Sequence, residues 1–223
     1  MPPALNQNER EPPEGFRIPH SELGARLIVF VKAPRPGRVK TRLAKDIGEE
    51  EACDAYRELA ETLFENLAEI ANVELCFAPA NAAHELRPWL RKGWTLAPQA
   101  GGELGNRLHK AFLSAFEDGC EKVAIIGSDC PEVTAGDIRE AWKRLKRRDL
   151  VLGPATDGGY WLIALKRPCA GLFQKIPWST DRVLARTIAA GTDAGLKIDC
   201  LRPLTDIDTL DEWREFVENR RPE

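Results

Sequence analysis

Two short, mostly apolar runs stand out in the chain, Leu27–Val31 and Lys122–Gly127. Runs of this length without a polar face are typical of strands buried inside a parallel sheet. Between them, residues 49–71 carry apolar side chains at helical spacing, so they predict an amphipathic helix. The apolar stripe of that helix consists of Ala52, Tyr56, Leu59, Leu63, Leu67 and Ile70.

Weaker patterns continue this alternation along the chain. Further strands are predicted at 73–78, 94–97, 149–152, 160–165 and 196–199, and further helices at 82–91, from the loop at 99–105 to about 116, and at 181–190. Thr134 with Asp137 has the spacing of a capping box, and so does Thr209 with Glu212, which predicts two helix starts. Strands that alternate with helices indicate an α/β protein, with a mostly parallel central sheet between two helical layers.

The N-terminal segment differs from the rest. Residues 1–22 contain five of the sixteen prolines and few large apolar side chains, so we expect a disordered N-terminal extension. Residues 23–223 contain no repeat and no linker-like stretch, and they predict a single domain.

Composition and charge exclude several classes of protein. Hydrophobic residues make up 43% and charged residues 30% of the chain, and the net charge of −3 argues against a nucleic-acid partner. No apolar run approaches the length of a membrane span, and the N-terminus lacks the apolar centre of a signal peptide. The six cysteines form no C-x-x-C pair, so we expect reduced thiols in a cytoplasmic protein.

Positive charge is concentrated in the loop after the first predicted strand. Residues 23–45 contain seven Lys or Arg and no Asp or Glu. Ligands of open α/β sheets bind outside the carboxyl ends of the strands, and cations before a helix start suit a di- or triphosphate. We therefore favour phosphate binding over the alternative, a solvated basic loop. The candidate phosphate ligands are Lys32, Arg35, Arg38, Lys40 and Arg42.

Carboxylates follow two later elements. Asp129 comes directly after the second buried strand, where it suits a hard cation shared with substrate phosphates; the alternative is an Asx-turn that ends the strand. A second acidic cluster consists of Asp206, Asp208 and Asp211. Its alternative is a helix cap made by Asp208 or Thr209.

Glycine-rich segments supply the remaining candidates. Asp157 is a possible general base, Gly158 and Gly159 permit close approach of a ligand, and Tyr160 can stack on it; a hairpin turn is an equal alternative. In the loop 99–105, Gln99 and Gly105 are candidates on the donor side, although a plain loop is an alternative. In the segment 176–180, Trp178 and Ser179 are candidates on the acceptor side.

Five motifs, in order, resemble those of the bacterial DUF2064 family, whose members are known as radical-SAM/selenodomain-associated transferases. They are VFVKAPRPGRVKTRLA, GSDCPEVT, LGPATDGGYWLIAL, IPWST and DIDTLDEW, and the resemblance runs from about Leu27 to Trp213. It implies a Rossmann-like GT-A fold of the nucleotide-diphospho-sugar transferase type, close to molybdenum-cofactor and phospholactate nucleotidyltransferases. One departure is Asn106, which stands where relatives more often have an acid.

The resemblance also assigns roles to residues. It implies a nucleotide-diphosphate donor held by Arg38, Lys40 and Arg42, and Mg²⁺ or Mn²⁺ held by Asp129 and by Asp208 or Asp206. We expect a glycosyltransferase that moves a sugar from a nucleotide-sugar to a small-molecule acceptor, with Asp157 as base. The alternative is a nucleotidyltransferase that joins an NTP to a phosphorylated small molecule, with Lys40 among its catalytic cations. A nucleotide-binding protein without turnover is a third class.

Overall fold

A single seven-stranded sheet organises the molecule. The computed structural model describes residues 24–220, so the predicted N-terminal extension lies outside it. The strands are β1 (Ala25–Lys32), β2 (Val73–Ala78), β3 (Thr95–Pro98), β4 (Lys122–Gly127), β5 (Leu150–Pro154), β6 (Tyr160–Leu165) and β7 (Ile198–Cys200). Their order across the sheet is β3-β2-β1-β4-β6-β5-β7. Only β6 runs against its neighbours, and it pairs antiparallel with β4 and β5.

The two apolar runs of the sequence form adjacent central strands. Leu27 in β1 is in register with Val73 of β2 on one side and with Ala124 of β4 on the other. All three side chains are fully buried, because helices cover both faces of the sheet at these strands.

Seven α-helices connect and cover the strands in the described range. They are α1 (Ala44–Ile47), α2 (Glu49–Asn66), α3 (Ala83–Leu86), α4 (Leu104–Glu117), α5 (Ala135–Arg144), α6 (Val183–Asp193) and α7 (Leu210–Asn219). Side chains of α2 and α5 pack with Leu27 and Val29 on one face of the sheet. Side chains of α4 and α6 pack with Ile28 on the other face, which gives the three predicted layers.

The predicted α/β fold with a mostly parallel sheet is confirmed, with local differences in the bounds of several elements. The helix predicted over 49–71 ends at Asn66, and Ile70 is buried in the turn that follows. The segment 82–91 divides into α3 and a 3₁₀ turn at Arg87–Trp89, where Pro88 removes a backbone donor. The short helix α1 was not predicted. Both capping boxes are present, with Thr134 and Thr209 as N-caps.

None of the helices in the described part of the chain is long and apolar enough to cross a membrane.

Candidate functional site

An open cleft of about 610 Å³ lies at the carboxyl edge of the central strands. The ends of β1 and β4 meet there with the beginning of β6, which reaches this edge because it runs antiparallel. The cleft therefore occupies the position where ligands of open α/β sheets bind. The predicted site residues that line it are Lys32, Lys40, Arg42, Gln99, Asp129, Tyr160, Ser179 and Asp208.

Lys40 is the centre of one end of this cleft. Its side chain is 1% exposed, and its Nζ lies 2.5 Å from Asp129 Oδ1 and 3.1 Å from Asp208 Oδ1. The same nitrogen donates to the main-chain oxygen of Ile207 at 2.5 Å. A φ of 45° at Lys40 turns the loop so that the ammonium group points inward. All three N–H donors of Lys40 thus have oxygen partners, in a group that we name the acidic end (Lys40, Asp129, Asp206 and Asp208).

Charge and burial act against each other in the acidic end. Burial lowers the pKa of Lys40, but the attraction of Asp129 and Asp208 outweighs it, so the pKa is raised. Burial raises the pKa of Asp206 to about 7, and the neighbouring charges of Asp129, Asp157 and Asp208 add to this effect. Lys40 therefore stays charged, and it offsets part of the repulsion between crowded carboxylates.

The acidic end fits a hard divalent cation that is held partly by its substrate. Within residues 24–220 no group of three or more His, Cys, Asp or Glu side chains has the arrangement of a metal site. The Asp129 and Asp208 side chains are 45% and 44% exposed, so their free oxygens face the cleft. Mg²⁺ is commonly held by one or two carboxylates together with phosphate oxygens, and this donor set agrees with that chemistry. Thr209, and not Asp208, caps α7.

The other predicted phosphate ligands lie on two sides of the basic loop. Arg42 is 72% exposed at the rim of the cleft, and its Nη1 lies 3.9 Å from Asp208 Oδ2. Arg35 and Arg38 instead line a neighbouring cavity of about 420 Å³, which they share with Lys32. Arg35 is engaged by Glu85, with an Nη2–Oε1 distance of 2.5 Å. Lys32 alone among these cations lines both cavities.

Among the predicted acceptor-side residues, only Tyr160 and Ser179 line the cleft. Asp157 Oδ1 accepts a hydrogen bond from the main-chain nitrogen of Gly159 at 2.8 Å, which closes an Asx-turn between β5 and β6. Gly158 has a φ of 88° and packs so closely on the backbone of Asp181 that a Cβ would lie 2.3 Å from its oxygen. Asp157 and both glycines lie beside the cleft lining, whereas Tyr160 is part of it.

Gly105 and Trp178 lie against each other, and neither lines the cleft. A Cβ at Gly105 would lie 2.8 Å from Trp178 Nε1, so glycine permits the segment 176–180 to close on α4. Ser179, with a φ of 63°, extends from that segment into the cleft. Tyr160 and Trp161 point to opposite faces of the sheet, where they pack with the α4 and α5 layers respectively.

Tyr56 is a site residue that the sequence pattern assigned only to the buried stripe of a helix. Its hydroxyl accepts from the main-chain nitrogen of Lys32 at 2.9 Å and lies 3.0 Å from Ser128 Oγ. It therefore ties the end of β1 to the end of β4 beneath the cleft. No local signal distinguishes this hydroxyl from that of any other core tyrosine.

Arg107, which was not predicted, lines the second end of the cleft. Its Nη1 donates to Gln99 Oε1 at 2.7 Å, and its Nε is enclosed without a hydrogen-bond partner in the described part of the chain. The surrounding wall is largely apolar, and we name it the apolar end. It consists of Phe30, Gln99, Leu104, Arg107, Leu108, Ile125 and Ile163. Asn106, the departure noted above, instead donates to Gly101 O at 2.7 Å.

Comparison with solved structures places this fold among nucleotide-using transferases. A Desulfovibrio desulfuricans G20 protein that carries the provisional name nucleotide-diphospho-sugar transferase is 31% identical, with a TM-score of 0.83 over 90% of this chain and 89% of that one. The 4-diphosphocytidyl-2C-methyl-D-erythritol synthase of Anaerococcus prevotii is 9% identical, with a TM-score of 0.59 over 89% of this chain and 100% of that one. The inositol-1-phosphate CTP transferase of T. maritima is 14% identical, with a TM-score of 0.51 over 88% and 94% of the two chains.

The last two similarities establish the fold, which is the predicted nucleotide-diphospho-sugar transferase type. Residues 64–180 match the sequence profile of DUF2064, described as an uncharacterized protein conserved in bacteria. The chain belongs to this family, as its motifs predicted. The predicted enzyme class, a GT-A glycosyltransferase or related nucleotidyltransferase, agrees with these neighbours. No curated protein matches the chain.

Proposed function

We propose that this protein is a metal-dependent glycosyltransferase that takes a sugar from a nucleotide-diphosphate donor and passes it to a small-molecule acceptor. The arrangement of the acidic end carries this proposal. Two half-exposed carboxylates from different loops, Asp129 and Asp208, are held side by side by a buried ammonium group. The name of the 31% identical relative, nucleotide-diphospho-sugar transferase, favours a nucleotide-sugar as the donor.

Asp129, Asp208 and Lys40 of the acidic end have distinct parts in this proposal. Asp129 and Asp208 would hold Mg²⁺ or Mn²⁺ together with diphosphate oxygens, and the bound ion would stabilise the negative charge of the departing diphosphate. Lys40 is a positioning residue, because its three donors are directed at protein oxygens. Arg42 and Lys32 attract the phosphates from the rim of the cleft.

On the acceptor side, Asp157 is the candidate base and Ser179 a candidate contact. The carboxyl of Asp157 accepts from Gly159 through Oδ1, so this bond orients the side chain. Tyr160 supplies an aromatic wall next to the place where an acceptor would enter. Bringing a hydroxyl group of the acceptor to this wall would complete the arrangement that an inverting transfer needs.

Nucleotidyl transfer is the second candidate, and the course of the basic loop favours it. Lys32 lines both the cleft and the neighbouring cavity, so the cationic surface continues towards Arg38. A longer cationic surface suits a triphosphate and its pyrophosphate leaving group, with Arg38 and Arg42 stabilising the transferred phosphoryl group. In that case Lys40 would again act through the two aspartates.

A ligand screen by thermal denaturation separates the two candidates. Ligands that bind only the folded state raise its stability, by about 2.7 kcal/mol at a concentration of 100 times Kd. We expect UDP- or GDP-sugars with Mn²⁺ to raise the Tm, and incubation with acceptors to release a nucleoside diphosphate. Stabilisation by CTP or GTP but not by sugar nucleotides, with pyrophosphate as product, would replace the first candidate by the second. Binding without any product would favour the third class.

Matched aspartate variants test the metal. Asp208→Asn removes one of the proposed ligands, and Asp211→Asn removes a carboxylate that is 97% exposed three residues away. We expect the first variant to lose the Mn²⁺-dependent part of the Tm increase and the second to keep it. Equal metal dependence in both variants would remove Asp208 from the site.

A further inference from the structure

The apolar end of the cleft holds an arginine whose position is fixed by the sheet itself. Gln99 follows β3, and its main-chain nitrogen donates to Phe77 O at 2.7 Å. Its side-chain nitrogen donates to Cys76 O at 2.8 Å and to Val31 O at 3.3 Å. Both amide hydrogens therefore serve the ends of β1 and β2, and Oε1 is left to accept from Arg107.

Arg107 has donor capacity that the described protein atoms do not use. A guanidinium group carries five N–H donors and no acceptor. Nη1 bonds Gln99, whereas the enclosed Nε has no partner, and no carboxylate of the described residues lies within ion-pair distance of Arg107. A buried donor without a partner is unfavourable, so the site is better satisfied when a ligand brings an acceptor to it.

The surroundings of Arg107 indicate which part of a nucleotide brings that acceptor. The acidic end already collects the carboxylates and Lys40, whereas Arg107 shares its end with apolar side chains, Phe30, Leu104 and Leu108 among them. Ligand sites of this kind bind a largely apolar or planar group and orient it by a few placed polar contacts. A nucleobase has that chemistry, and a phosphate does not.

We propose that Arg107, positioned by Gln99, donates hydrogen bonds to a carbonyl oxygen of the donor's nucleobase and thereby selects the base. Arginine only donates, so it can bond a carbonyl oxygen of uracil, cytosine or guanine. Adenine carries no carbonyl oxygen and offers only ring-nitrogen acceptors. This inference rests on the proposed function, since it assumes that the cleft binds a nucleotide.

Calorimetric titration with UDP, CDP, GDP, ADP and inorganic pyrophosphate, each with Mn²⁺, tests the inference. We expect wild-type protein to bind at least one of the first three at least about tenfold more tightly than ADP. Arg107→Met should lower the affinity for that nucleotide by about tenfold or more and change the affinities for ADP and pyrophosphate by less than about twofold. Lys110→Met removes an exposed cation from the same helix, and it should leave the affinities for all five ligands unchanged.

Gln99→Met tests the positioning role, because it leaves the Arg107 side chain in place without its acceptor. We expect a reduced preference for the carbonyl base with pyrophosphate binding unchanged, whereas a merely structural role would lower all affinities together. Arg107→Met could lower the affinities for the nucleotides and for pyrophosphate equally, or leave the preference among the bases unchanged. Either result would overturn this inference but not the proposed function. Failure of wild-type protein to bind any nucleotide would overturn the proposed function and this inference with it.

Discussion

The two ends of the cleft differ in how far the protein satisfies its own buried donors. In the acidic end, Lys40 has three oxygen partners in the protein. In the apolar end, Arg107 has one side-chain partner, Gln99, and an enclosed Nε without any in the described part of the chain. A satisfied cation organises its neighbours, whereas an unsatisfied one is available to a ligand. The comparison indicates that proximity to a cleft is a poor guide to which cation binds substrate.

Removing Lys40 should have the largest effect on stability. Lys40→Met leaves Asp129 and Asp208 without their counter-charge and the Ile207 carbonyl without its donor. Breaking a fully buried pair costs about 3–5 kcal/mol, and since both aspartates are half exposed we expect about 2–3 kcal/mol. Urea denaturation measures this loss, with Lys45→Met, an exposed lysine of α1, as control. A change below about 0.5 kcal/mol would show that Lys40 does not organise the acidic end.

Tyr56→Phe should have the next largest effect, because it removes the hydroxyl that joins β1 to β4. The main-chain nitrogen of Lys32 and the hydroxyl of Ser128 both lose a partner, which should lower the free energy of unfolding by about 1–2 kcal/mol. A double-mutant cycle with Ser128→Ala should give a coupling energy of at least about 0.5 kcal/mol. Strict additivity would mean that the two hydroxyls act independently.

The carboxylate of Asp137 lies outside the cleft and accepts hydrogen bonds from Arg202 and Thr134. Its contribution to the free energy of unfolding should depend on pH. Burial raises the pKa of this carboxyl, but hydrogen bonds from Arg202 and Thr134 outweigh burial and leave the pKa below its usual value. Its stabilisation is therefore present above the unfolded-state pKa and disappears as pH falls through the lower folded-state pKa. We expect Asp137→Asn to cost about 1 kcal/mol at pH 7 and progressively less below about pH 4 in urea denaturation. A difference that grows on acidification would contradict this sign.

Arg107→Met should have the smallest effect on stability. The lost hydrogen bond to Gln99 is offset because a buried N–H without a partner is removed from an apolar wall. We expect the free energy of unfolding to change by less than about 0.5 kcal/mol, measured beside Lys40→Met under identical conditions. Similar losses in both variants would abolish the distinction between the two ends of the cleft.

Much of the fold was predictable because its elements depend on local patterns. The predicted bounds of β2, β4 and β6 agree with the structure, and both capping boxes form where Thr134 and Thr209 indicated. The antiparallel direction of β6 was contained only in the hairpin-turn alternative for the segment around Gly158, because buried strands have the same apolar pattern in either direction.

The candidate site was predictable only in part, because contacts across the sheet decide what each charge does. The rule that ligands bind at strand ends selected Asp129, and the family resemblance implied Asp208 as its partner. The structure brings the two together. Lys40 belongs to the same basic run as Arg42, yet a positive φ directs it inward, and no residue pattern announces that turn. Arg107 was not predicted because its setting depends on Gln99, whose partners come from β1 and β2.

The anomalous scattering of Mn²⁺ in a crystal grown with a nucleoside diphosphate tests the central claim most directly. The account predicts an anomalous peak within bonding distance of carboxylate oxygens of Asp129 and Asp208, with diphosphate oxygens completing the coordination and the base in the apolar end. A nucleotide bound outside this cleft, or Mn²⁺ bound without either aspartate, would contradict it.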